Sequence, residues 1–345
     1  AMHHQLGGSA VRQYMRKGRF FVTPQDSVEK LQTLMTQEGL GQVPVVENDK
    51  VIGIVTRTDL IKLWTESPRP SRTDEIAERL AIAVPKPLLQ LLREAGRLAA
   101  EQGDSLFIVG GFVRDLLLGT PTLDIDLVIE GDAIRLARRL ARHYGGRVRG
   151  HRRFGTAKWL LADIPKSSLQ LPISNLQSLD FVTARTEFYE HPSALPEVER
   201  SSIKQDLHRR DFTINTLAIQ LTPERYGELL DFYGGENDLR QGLIRVLHSL
   251  SFVEDATRML RAIRLEQRLG FRIEARTEEL LRDALDLLDR VSGERIYHEL
   301  RLIFGEAEPE RVLLRLDDLG VLHQIHPDLC ADDWLVGRCR ELRMG

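Results

Sequence analysis

The alternation of apolar and polar positions divides the chain into three regions, of which the first is a small α/β unit at residues 11–66. A helix-like stretch at 27–37 precedes two short apolar strands, 43–46 and 51–55, and a polar turn separates the strands. Residues 56–60 then open a further helix. This order of short elements predicts a compact α/β module.

The second region alternates helices and strands over a longer span. From 87 to 102 leucines and alanines share one helical face, and Gly103 closes the helix. The other elements predicted are a strand at 107–109, a helix at 112–118, a strand at 123–129, an arginine-rich helix between Asp132 and Gly145, and strands at 159–161 and 179–182. From about residue 245 the pattern is helical throughout, with expected helix ends at Gly270, Gly293, Gly305 and Gly320.

Composition limits the class of protein. A chain of 345 residues suggests two or three domains, and 42% hydrophobic with 29% charged residues are typical of a soluble globular protein. No apolar run reaches the ~18 residues of a membrane span, and no signal peptide is visible. The only cysteines are Cys330 and Cys339, which favours a reducing, cytoplasmic location.

Charge is unevenly distributed along the chain. The net charge is −3, yet residues 135–153 hold eight arginines and two histidines without one acidic residue. A basic segment of this density attracts phosphates. It is equally typical of a solvated helix face, and the sequence leaves both interpretations open.

A glycine pair, Gly110 and Gly111, lies between a predicted strand and a predicted helix. Such a turn presents free backbone N–H groups and the positive end of the helix dipole, which suits a triphosphate. Glycine allows close approach because a Cβ atom would hold the backbone away from the phosphate oxygens. Arg114, on the first helical turn, is a candidate donor to the same phosphates.

Two aspartates follow on the next predicted strand. Asp124 and Asp126 are two residues apart, so both carboxylates are expected on one face. Paired carboxylates are suitable Mg²⁺ ligands, and two such ions would activate a ribose 3′-hydroxyl and stabilise a departing pyrophosphate. Asp180, on a later strand, is the candidate third carboxylate. Alone, each motif is also typical of an ordinary turn or strand edge.

Five motifs in order make the chain resemble the class II tRNA nucleotidyltransferase and bacterial poly(A) polymerase family. The first is the glycine turn with Arg114 and the aspartate pair. The others are Arg209-Arg210-Asp211-Phe212-Thr213-Ile214-Asn215; Asp231 with Gly234-Gly235 and Asp238-Leu239; Glu254-Asp255-x-x-Arg258-x-x-Arg261; and Gly293-Glu294-Arg295-Ile296 with Glu299-Leu300. They span roughly residues 88–305.

The resemblance implies a polymerase-beta-like α/β nucleotidyltransferase head, followed by an all-α neck and body. We therefore expect a vector remnant or frayed terminus at 1–10, the small α/β module at 11–66 and a linker at 67–86. The catalytic head is expected at 87–243, the neck at 244–305, and the start of a truncated helical body at 306–345. It also implies that the arginines at 209 and 210 contact the triphosphate, that Asp211 and Asn215 contact the sugar, and that Arg261 belongs to the nucleotide site.

The fourth motif also has a physical interpretation. Asp255 and Arg258 are one helical turn apart, and a carboxylate with a guanidinium matches the amine and ring nitrogen of cytosine and of adenine. Uracil and guanine present the reversed pattern and leave buried groups unpaired. The resemblance assigns base selection to this pair, whereas the residues alone are equally typical of a surface ion pair.

Two further segments bear on specificity and assembly. Residues 186–202 resemble the family's flexible loop, which assists the switch to adenosine addition. Residues 44–60 resemble a CBS motif, in which Thr56 and Asp59 are suited to a phosphate and a ribose. Only one copy is present, which favours a structural or homo-oligomerising role. Long family members carry this module, so we expect the chain to be part of a larger protein.

The sequence therefore predicts an enzyme that adds A, C or both, from ATP and CTP, to the 3′ end of tRNA with two Mg²⁺ ions. Two alternatives stay open: a poly(A) polymerase, and an inactive nucleotide-sensing module. The intact carboxylates and base-selecting pair argue against the second alternative.

Overall fold

The structure is a computed structural model that describes residues 20–38, 40–57, 59–60, 72–120, 122–161, 177–188 and 197–344. The chain divides into two compact units, Ala1–Pro68 and Arg69–Gly345. The expectations for residues 1–10 and for the break at 67–71 lie outside the described residues, as does the tip of the flexible-loop segment, 189–196.

The first unit contains helix α1 (Val28–Gln37) and an antiparallel hairpin of β1 (Gln42–Glu47) and β2 (Lys50–Thr56). Both Asn48 and Asp49 in the hairpin turn have positive φ, the backbone that a two-residue turn between twisted strands requires. The helix, both strands and their turn confirm the predicted elements. A small apolar core joins them, made of Val22, Leu31, Met35, Val43 and Leu60.

Helix α2 (Thr73–Ala83) lies where a linker was expected. The prediction of a linker over 67–86 is wrong for this helix, because Ile76 and Leu80 are fully buried in the core of the second unit. These two residues are four apart and lie on one face of the helix. The segment therefore belongs to the packed structure of the second unit.

A seven-stranded mixed sheet forms the centre of the second unit. Its strands, in order across the sheet, are β11 (Leu229–Leu230), β10 (Ala218–Gln220), β3 (Ser105–Val109), β4 (Asp126–Glu130), β7 (Ser178–Thr183), β6 (Thr156–Leu160) and β5 (Arg147–His151). Strands β4 and β7 are parallel, and the other neighbouring pairs are antiparallel. The parallel pair brings together residues that are more than fifty positions apart in the chain.

Helices α3 (Lys86–Ala100) and α5 (Ala133–Tyr144) cover one face of this sheet. The predicted apolar face of α3 is confirmed, and the side chain of Asp132 caps α5 by accepting from the Arg135 backbone N–H at 3.0 Å. Along β4, Leu127 and Ile129 join the core under the helices, while Val128 joins a smaller cluster on the opposite face. Because side chains alternate along a strand, Asp126 belongs to that opposite face.

The remaining elements surround the sheet or continue beyond it. They are α4 (Gly111–Leu118), β8 (Arg185–Phe188), β9 (Glu197–Arg200), α6 (Ile203–His208), α7 (Gly235–Gln241), β12 (Leu243–Ile244), α8 (Ser251–Glu254), α9 (Arg258–Leu269), β13 (Arg272–Ile273), α10 (Ala275–Asp283), α11 (Gly293–Phe304), α12 (Pro309–Asp318), α13 (Val321–Ile325) and α14 (Asp333–Met344), with 3₁₀ turns at Arg152–Phe154, Thr213–Asn215, Pro223–Arg225 and Leu285–Arg290.

The expectation of a helical pattern throughout from residue 245 is correct except at β13. This two-residue strand pairs in parallel with β12, so it ties the helical region to the end of the α/β region. Buried side chains of α9 and α12, among them Met259, Ile263 and Leu316, belong to the same continuous core as the sheet. No described helix is long and apolar enough to cross a membrane.

Candidate active site

The glycine turn between β3 and α4 has the conformation that only glycine adopts readily. Gly110 has φ +76° and ψ −136°, and its N–H donates to the carbonyl oxygen of Leu217 at 3.1 Å. A Cβ atom on Gly110 would lie 3.0 Å from Nη1 of Arg210 and 3.9 Å from Oδ2 of Asp126. The predicted turn is confirmed, and it brings the backbone, a guanidinium and a carboxylate around one small space.

Two of the three predicted carboxylates meet on neighbouring strands. Asp126 is the first residue of β4 and lies directly opposite Asp180 of β7 in the parallel register. The prediction that Asp124 also lies on the strand is wrong, because β4 begins at Asp126. Ile125 is buried between the two exposed aspartates. The carboxylates of Asp124 and Asp126 therefore both lie on the solvent side, as the alternation predicted.

The electrostatics of this edge favour binding of a cation. The pKa of Asp126 is raised above its usual value by desolvation and by the charges of Asp124, Asp180 and Asp206, while Arg210 opposes the rise. Lys158 of β6 places its ammonium 3.2 Å from Oδ2 of Asp180. No local pattern in the sequence indicates this lysine, because it reaches Asp180 only through the antiparallel pairing of β6 with β7.

The chemistry of these side chains fits magnesium. In the described part of the chain, no group of three or more His, Cys, Asp or Glu side chains is arranged to hold a metal ion by itself. Mg²⁺ is usually bound by only one or two protein carboxylates, and waters and substrate phosphates complete its octahedron. The pair Asp124 and Asp126 meets that requirement, and Asp180 lies beside it.

Arg114 has a different environment from the one predicted. Its side chain is buried, and Nε and Nη2 donate to the two carboxylate oxygens of Asp115 at 2.8 and 3.0 Å. Its Nη1 donates to Oδ1 of Asn215 at 2.8 Å. Three of its five N–H groups therefore donate to protein oxygens. Arg114 fixes the first turn of α4 against the 3₁₀ turn that contains Asn215.

Asp211 and Asn215 extend the same network. Nδ2 of Asn215 donates to Oδ1 of Asp211 at 3.0 Å, and Oδ2 of Asp211 lies 2.6 Å from Nη2 of Arg261. Although burial raises the pKa of Asp211, Arg261 and the hydrogen bonds from Asn215 and Phe212 outweigh it, and the net pKa is lowered. The network keeps Asp211 ionised and joins α9 to the glycine turn.

Arg209 and Arg210 share one buried carboxylate, Asp206 of α6. Arg209 donates to Oδ1 of Asp206 from Nε at 3.1 Å and from Nη2 at 2.8 Å, and Arg210 Nη2 donates to Oδ2 at 3.3 Å. Nε of Arg210 is buried and has no hydrogen-bond partner among the described residues. Asp206, which holds Arg210 beside the glycine turn, was not predicted as a site residue. Its position one helical turn before Arg209 and Arg210 was the available signal.

The two base-selecting candidates do not form the pair that the sequence predicted. Asp255 has an extended backbone and ends α8, whereas Arg258 begins α9, so they do not share one continuous helix. Oδ1 of Asp255 accepts from Thr257 and, at 2.7 Å, from Nη2 of Arg295. Arg258 is buried and donates to the carbonyl oxygens of Ser251 at 3.2 Å and Arg209 at 2.9 Å. The backbone N–H of Arg258 donates to the carbonyl oxygen of Asp255 at 3.1 Å, while the guanidinium of Arg258 lies 3.5 Å from Oε2 of Glu254 instead of pairing with the Asp255 carboxylate.

Comparison with known families identifies the fold around this site. A family model described as the poly A polymerase head domain matches residues 106–245, and one described as a probable RNA and SrmB-binding site of polymerase A matches 270–333. The chain belongs to the class II tRNA nucleotidyltransferase and poly(A) polymerase family. A CBS domain model matches residues 11–66, as the sequence predicted. Members of this nucleotidyltransferase family generally use divalent metals.

Similar proteins agree with this family. An A-adding tRNA nucleotidyltransferase of Geobacter sulfurreducens is 41% identical over 95% of this chain and 38% of its own length. One of Halalkalibacterium halodurans is 46% identical over 68% of this chain and 53% of its own length. The chain thus spans about 38% to 53% of the length of these two relatives.

Solved structures of CCA-adding enzymes are similar to this chain. A CCA-adding enzyme in an apo form matches with TM-score 0.69 and 42% identity over 77% of this chain and 61% of its own. A Thermotoga maritima CCA-adding enzyme complexed with tRNA matches with TM-score 0.65 and 39% identity over 77% and 59%. The predicted fold class is therefore confirmed: a nucleotidyltransferase head, a helical region and a CBS module.

The candidate ligand groups of the CBS module, both half-buried, contact each other. Oδ2 of Asp59 accepts from the backbone N–H of Thr56 at 3.0 Å and from its hydroxyl at 2.7 Å. The two side chains therefore bond to each other at the helix start. This geometry favours the structural role that the single copy suggested.

Proposed function

We propose that the chain is a template-independent nucleotidyltransferase that adds adenosine from ATP to the 3′ end of tRNA. The observation that carries this proposal is the register of Asp126 and Asp180 beside Gly110 and Arg210. The chain's similarity to relatives named as A-adding enzymes supports both the RNA and the nucleotide.

Asp124 and Asp126 are the residues that we assign to two Mg²⁺ ions, with Asp180 as the third carboxylate. Bound magnesium would activate the 3′-hydroxyl and neutralise charge on the departing pyrophosphate. The bond from O3′ to the α-phosphorus forms as the bond from that phosphorus to the bridging oxygen breaks. The hydroxyl proton passes to solvent. Lys158 limits the negative charge at Asp180.

The triphosphate would lie against the glycine turn. There Arg210 has a buried donor without a partner among the described residues. The first backbone N–H groups of a helix such as α4 have no partner within the helix, which suits an anion. Arg209 provides a second cation on the same carboxylate. Arg114, Asp211 and Asn215 act as positioning residues, because they hold one another and Arg261 in one network between α4 and α9.

We assign the choice of base to Asp255 and Arg258, whose side chains are held by different groups of the protein. Arg295 and Thr257 occupy one oxygen of Asp255, which leaves Oδ2 for an exocyclic amine. Two backbone carbonyls orient the guanidinium of Arg258, and its remaining N–H groups would donate to a ring nitrogen. Adenine and cytosine both satisfy this pattern, whereas guanine and uracil do not.

The segment between β8 and β9 supports addition of adenosine. The two strands pair from Arg185 with Arg200 to Phe188 with Glu197, so the expected flexible loop leaves the head from an antiparallel hairpin. By the resemblance stated above, this loop assists the change from cytidine to adenosine.

Labelled nucleotides offered one at a time with Mg²⁺ test the proposal. The acceptors are tRNAs ending before CCA, after one C and after CC, with Asp126→Asn as the inactive control. Addition of one A to the CC-ended tRNA alone is expected. Addition of C to the shorter tRNAs would make the chain a CCA-adding enzyme, and a long A tail on unrelated RNA would make it a poly(A) polymerase. Incorporation no higher than that of the control would support the nucleotide sensor.

We also propose a cytoplasmic location and self-association through the CBS module. Both cysteines are free thiols, which supports a reducing compartment.

Three large apolar side chains of β2, Val51, Ile52 and Ile54, are each more than half exposed, which supports pairing with a second copy. Light scattering of the wild type and of Ile52→Glu tests this pairing: a dimer that the substitution dissociates is expected, and a monomeric wild type would contradict it.

A further inference from the structure

A groove lined by six arginines lies outside the candidate active site. We call it the arginine groove. Its volume is about 580 Å³, and its arginines are Arg135, Arg138, Arg142, Arg152, Arg153 and Arg185. The first three lie along α5, and the next two belong to the 3₁₀ turn that follows β5.

The structure divides the basic segment of the sequence into paired and unpaired arginines. Arg139 contacts Glu101 and the carbonyl oxygen of Leu98, and Arg135 lies 2.7 Å from Asp104. Arg139 therefore belongs to the ordinary surface of the fold, whereas Arg135 has one ion pair and also lines the groove.

Four arginines of the groove differ from these. In the described part of the chain, no carboxylate forms an ion pair with Arg138, Arg142, Arg152 or Arg153, and all four are exposed. Asp132, the acidic residue of the lining, accepts the capping hydrogen bond of α5. Cations gathered in a concave surface without counter-charges attract an anion strongly.

The groove and the carboxylates lie at opposite ends and on opposite faces of the central strands. Thr183, in the groove lining, is the last residue of β7, and its hydroxyl accepts from the N–H of Ala133 at the start of α5. Asp126 begins β4 on the face that α5 does not cover. Five strand residues span roughly 13 Å between the two ends of β4. The groove is therefore distinct from the edge that carries the catalytic carboxylates, and it contacts the nucleotide site through the backbone N–H of Arg185, which donates to Oδ1 of Asp206 at 3.3 Å.

The arginines form a row instead of converging on a point. The spacing of 135, 138 and 142 along a helix places the successive Cα atoms about 4.5 and 6 Å apart along the axis. A nucleic-acid strand in a duplex advances about 3.4 Å per phosphate, so the row is matched to about three or four phosphates. A single phosphate or pyrophosphate would use only part of it.

We propose that the arginine groove binds the sugar-phosphate backbone of the tRNA substrate at a distance from its reacting 3′ end. This inference rests on the proposed function for the identity of the RNA. The groove then contributes affinity for the acceptor and leaves the chemistry at Asp126 unchanged, because none of its six arginines belongs to the catalytic residues.

Two double variants test the groove, Arg138→Gln with Arg142→Gln and Arg152→Gln with Arg153→Gln. The matched control is Arg97→Gln with Arg225→Gln, which removes two exposed, ion-paired arginines from the same unit. Binding of CC-ended tRNA to the 345-residue chain is measured between 50 and 200 mM salt. Each groove variant is expected to bind about tenfold more weakly than the control and to lose about 1 to 2 from the slope of log affinity against log salt.

Kinetics with the same variants separate the sources of the anion. An unchanged KM for ATP and an unchanged kcat at saturating tRNA, with a raised KM for tRNA, support the proposal. A raised KM for ATP with unaltered tRNA binding would overturn it in favour of a site for a free nucleotide. Groove variants that bind tRNA as the control does would also overturn it.

Failure of the proposed function gives a different result. If the wild type adds no nucleotide to any tRNA while the groove variants still lose RNA affinity and salt dependence, the groove inference stands and the proposed function does not.

Discussion

Arg261 of α9 lies 2.6 Å from the buried carboxylate of Asp211 and joins the helical region to the glycine turn. From Asp211 the contacts continue through Asn215 and Arg114 to Asp115. Arg261, Asp211, Asn215 and Arg114 belong to the family's motifs. In this structure they act first as a rigid frame, so their substitution should affect stability as well as activity.

Arg114→Gln is expected to lower the free energy of unfolding by about 3 kcal/mol, because it leaves the buried carboxylate of Asp115 without its partner. Urea denaturation with a common m-value measures this loss. The control is Arg97→Gln, an exposed arginine whose loss should leave the midpoint unchanged. A midpoint for Arg114→Gln equal to that of the control would show that the frame contributes nothing.

Asp126→Asn and Asp180→Asn are each expected to lower kcat by at least about 10³-fold, because metal-assisted charge stabilisation is worth several kcal/mol. The melting temperature of Asp126→Asn should stay the same or rise. The raised pKa of Asp126 means that its charge is unfavourable in the folded protein without metal. Single-turnover incorporation of labelled ATP provides the rate, and wild-type rates in either variant would contradict the assignment.

Stability is expected to depend on His248 in weakly acidic solution. His248 stacks on His208 with ring centroids 5.4 Å apart, and burial lowers its pKa to about 4, aided by the charges of His208 and Arg258. Between pH 4 and the unfolded value of 6.5 the unfolded chain binds more protons. The stability is therefore fully present above pH 6.5 and falls by up to about 3 kcal/mol towards pH 4.

His248→Phe keeps a ring against His208 and removes this titration. The difference in unfolding free energy between wild type and variant should change by about 2 kcal/mol from pH 7 to pH 5. A constant difference over that interval would mean that His248 keeps its normal pKa.

Arg295→Gln is expected to weaken discrimination between bases without abolishing catalysis. Arg295 holds Oδ1 of Asp255 at 2.7 Å, so its loss lets the carboxylate turn away from an incoming amine. The ratio of kcat/KM for ATP to that for GTP should fall by roughly tenfold, since one misplaced polar partner costs about 1 to 3 kcal/mol. An equal fall for all nucleotides would indicate a general structural effect.

Gly235→Ala tests the close packing of α7 on the turn that carries Asn215. A Cβ atom there would lie 2.3 Å from the carbonyl oxygen of Thr213, and backbone must move. A loss of about 1 to 3 kcal/mol is expected. Gly337→Ala is the matched control, because nothing lies within 4 Å of its Cβ position and alanine favours a helix by about 0.5 to 1 kcal/mol. Denaturation midpoints should therefore move in opposite directions.

Local patterns predicted the elements well where one face is buried. The leucine spacing of α3, the cap at Asp132 and the glycine turn all depend on residues within a few positions of each other. Helix α2 was missed because prolines and serines precede it, although Ile76 and Leu80 are correctly spaced for burial. The start of β4 was misplaced because alternation continues through Asp124 before the strand pairing begins.

The partners of the site residues could not be predicted in the same way. Lys158 meets Asp180 through strand pairing, and Arg295 meets Asp255 across forty residues of chain. Asp255 and Arg258 are three residues apart, which suggested one helix, yet the helix is interrupted at Asp255, where the backbone is extended. Contacts of this kind depend on the tertiary arrangement and leave no periodic signal in the sequence.

The parallel pairing of β4 with β7 also has a consequence for how the protein folds. Asp126 and Asp180 are brought into register only when a loop of more than fifty residues has closed, and β5 and β6 lie within that loop. Closure of a long loop is slow and has an entropic cost before its contacts form. Metal affinity should therefore develop late in refolding, after the helices and local hairpins, and would serve as a direct reporter of the step that completes the central strands.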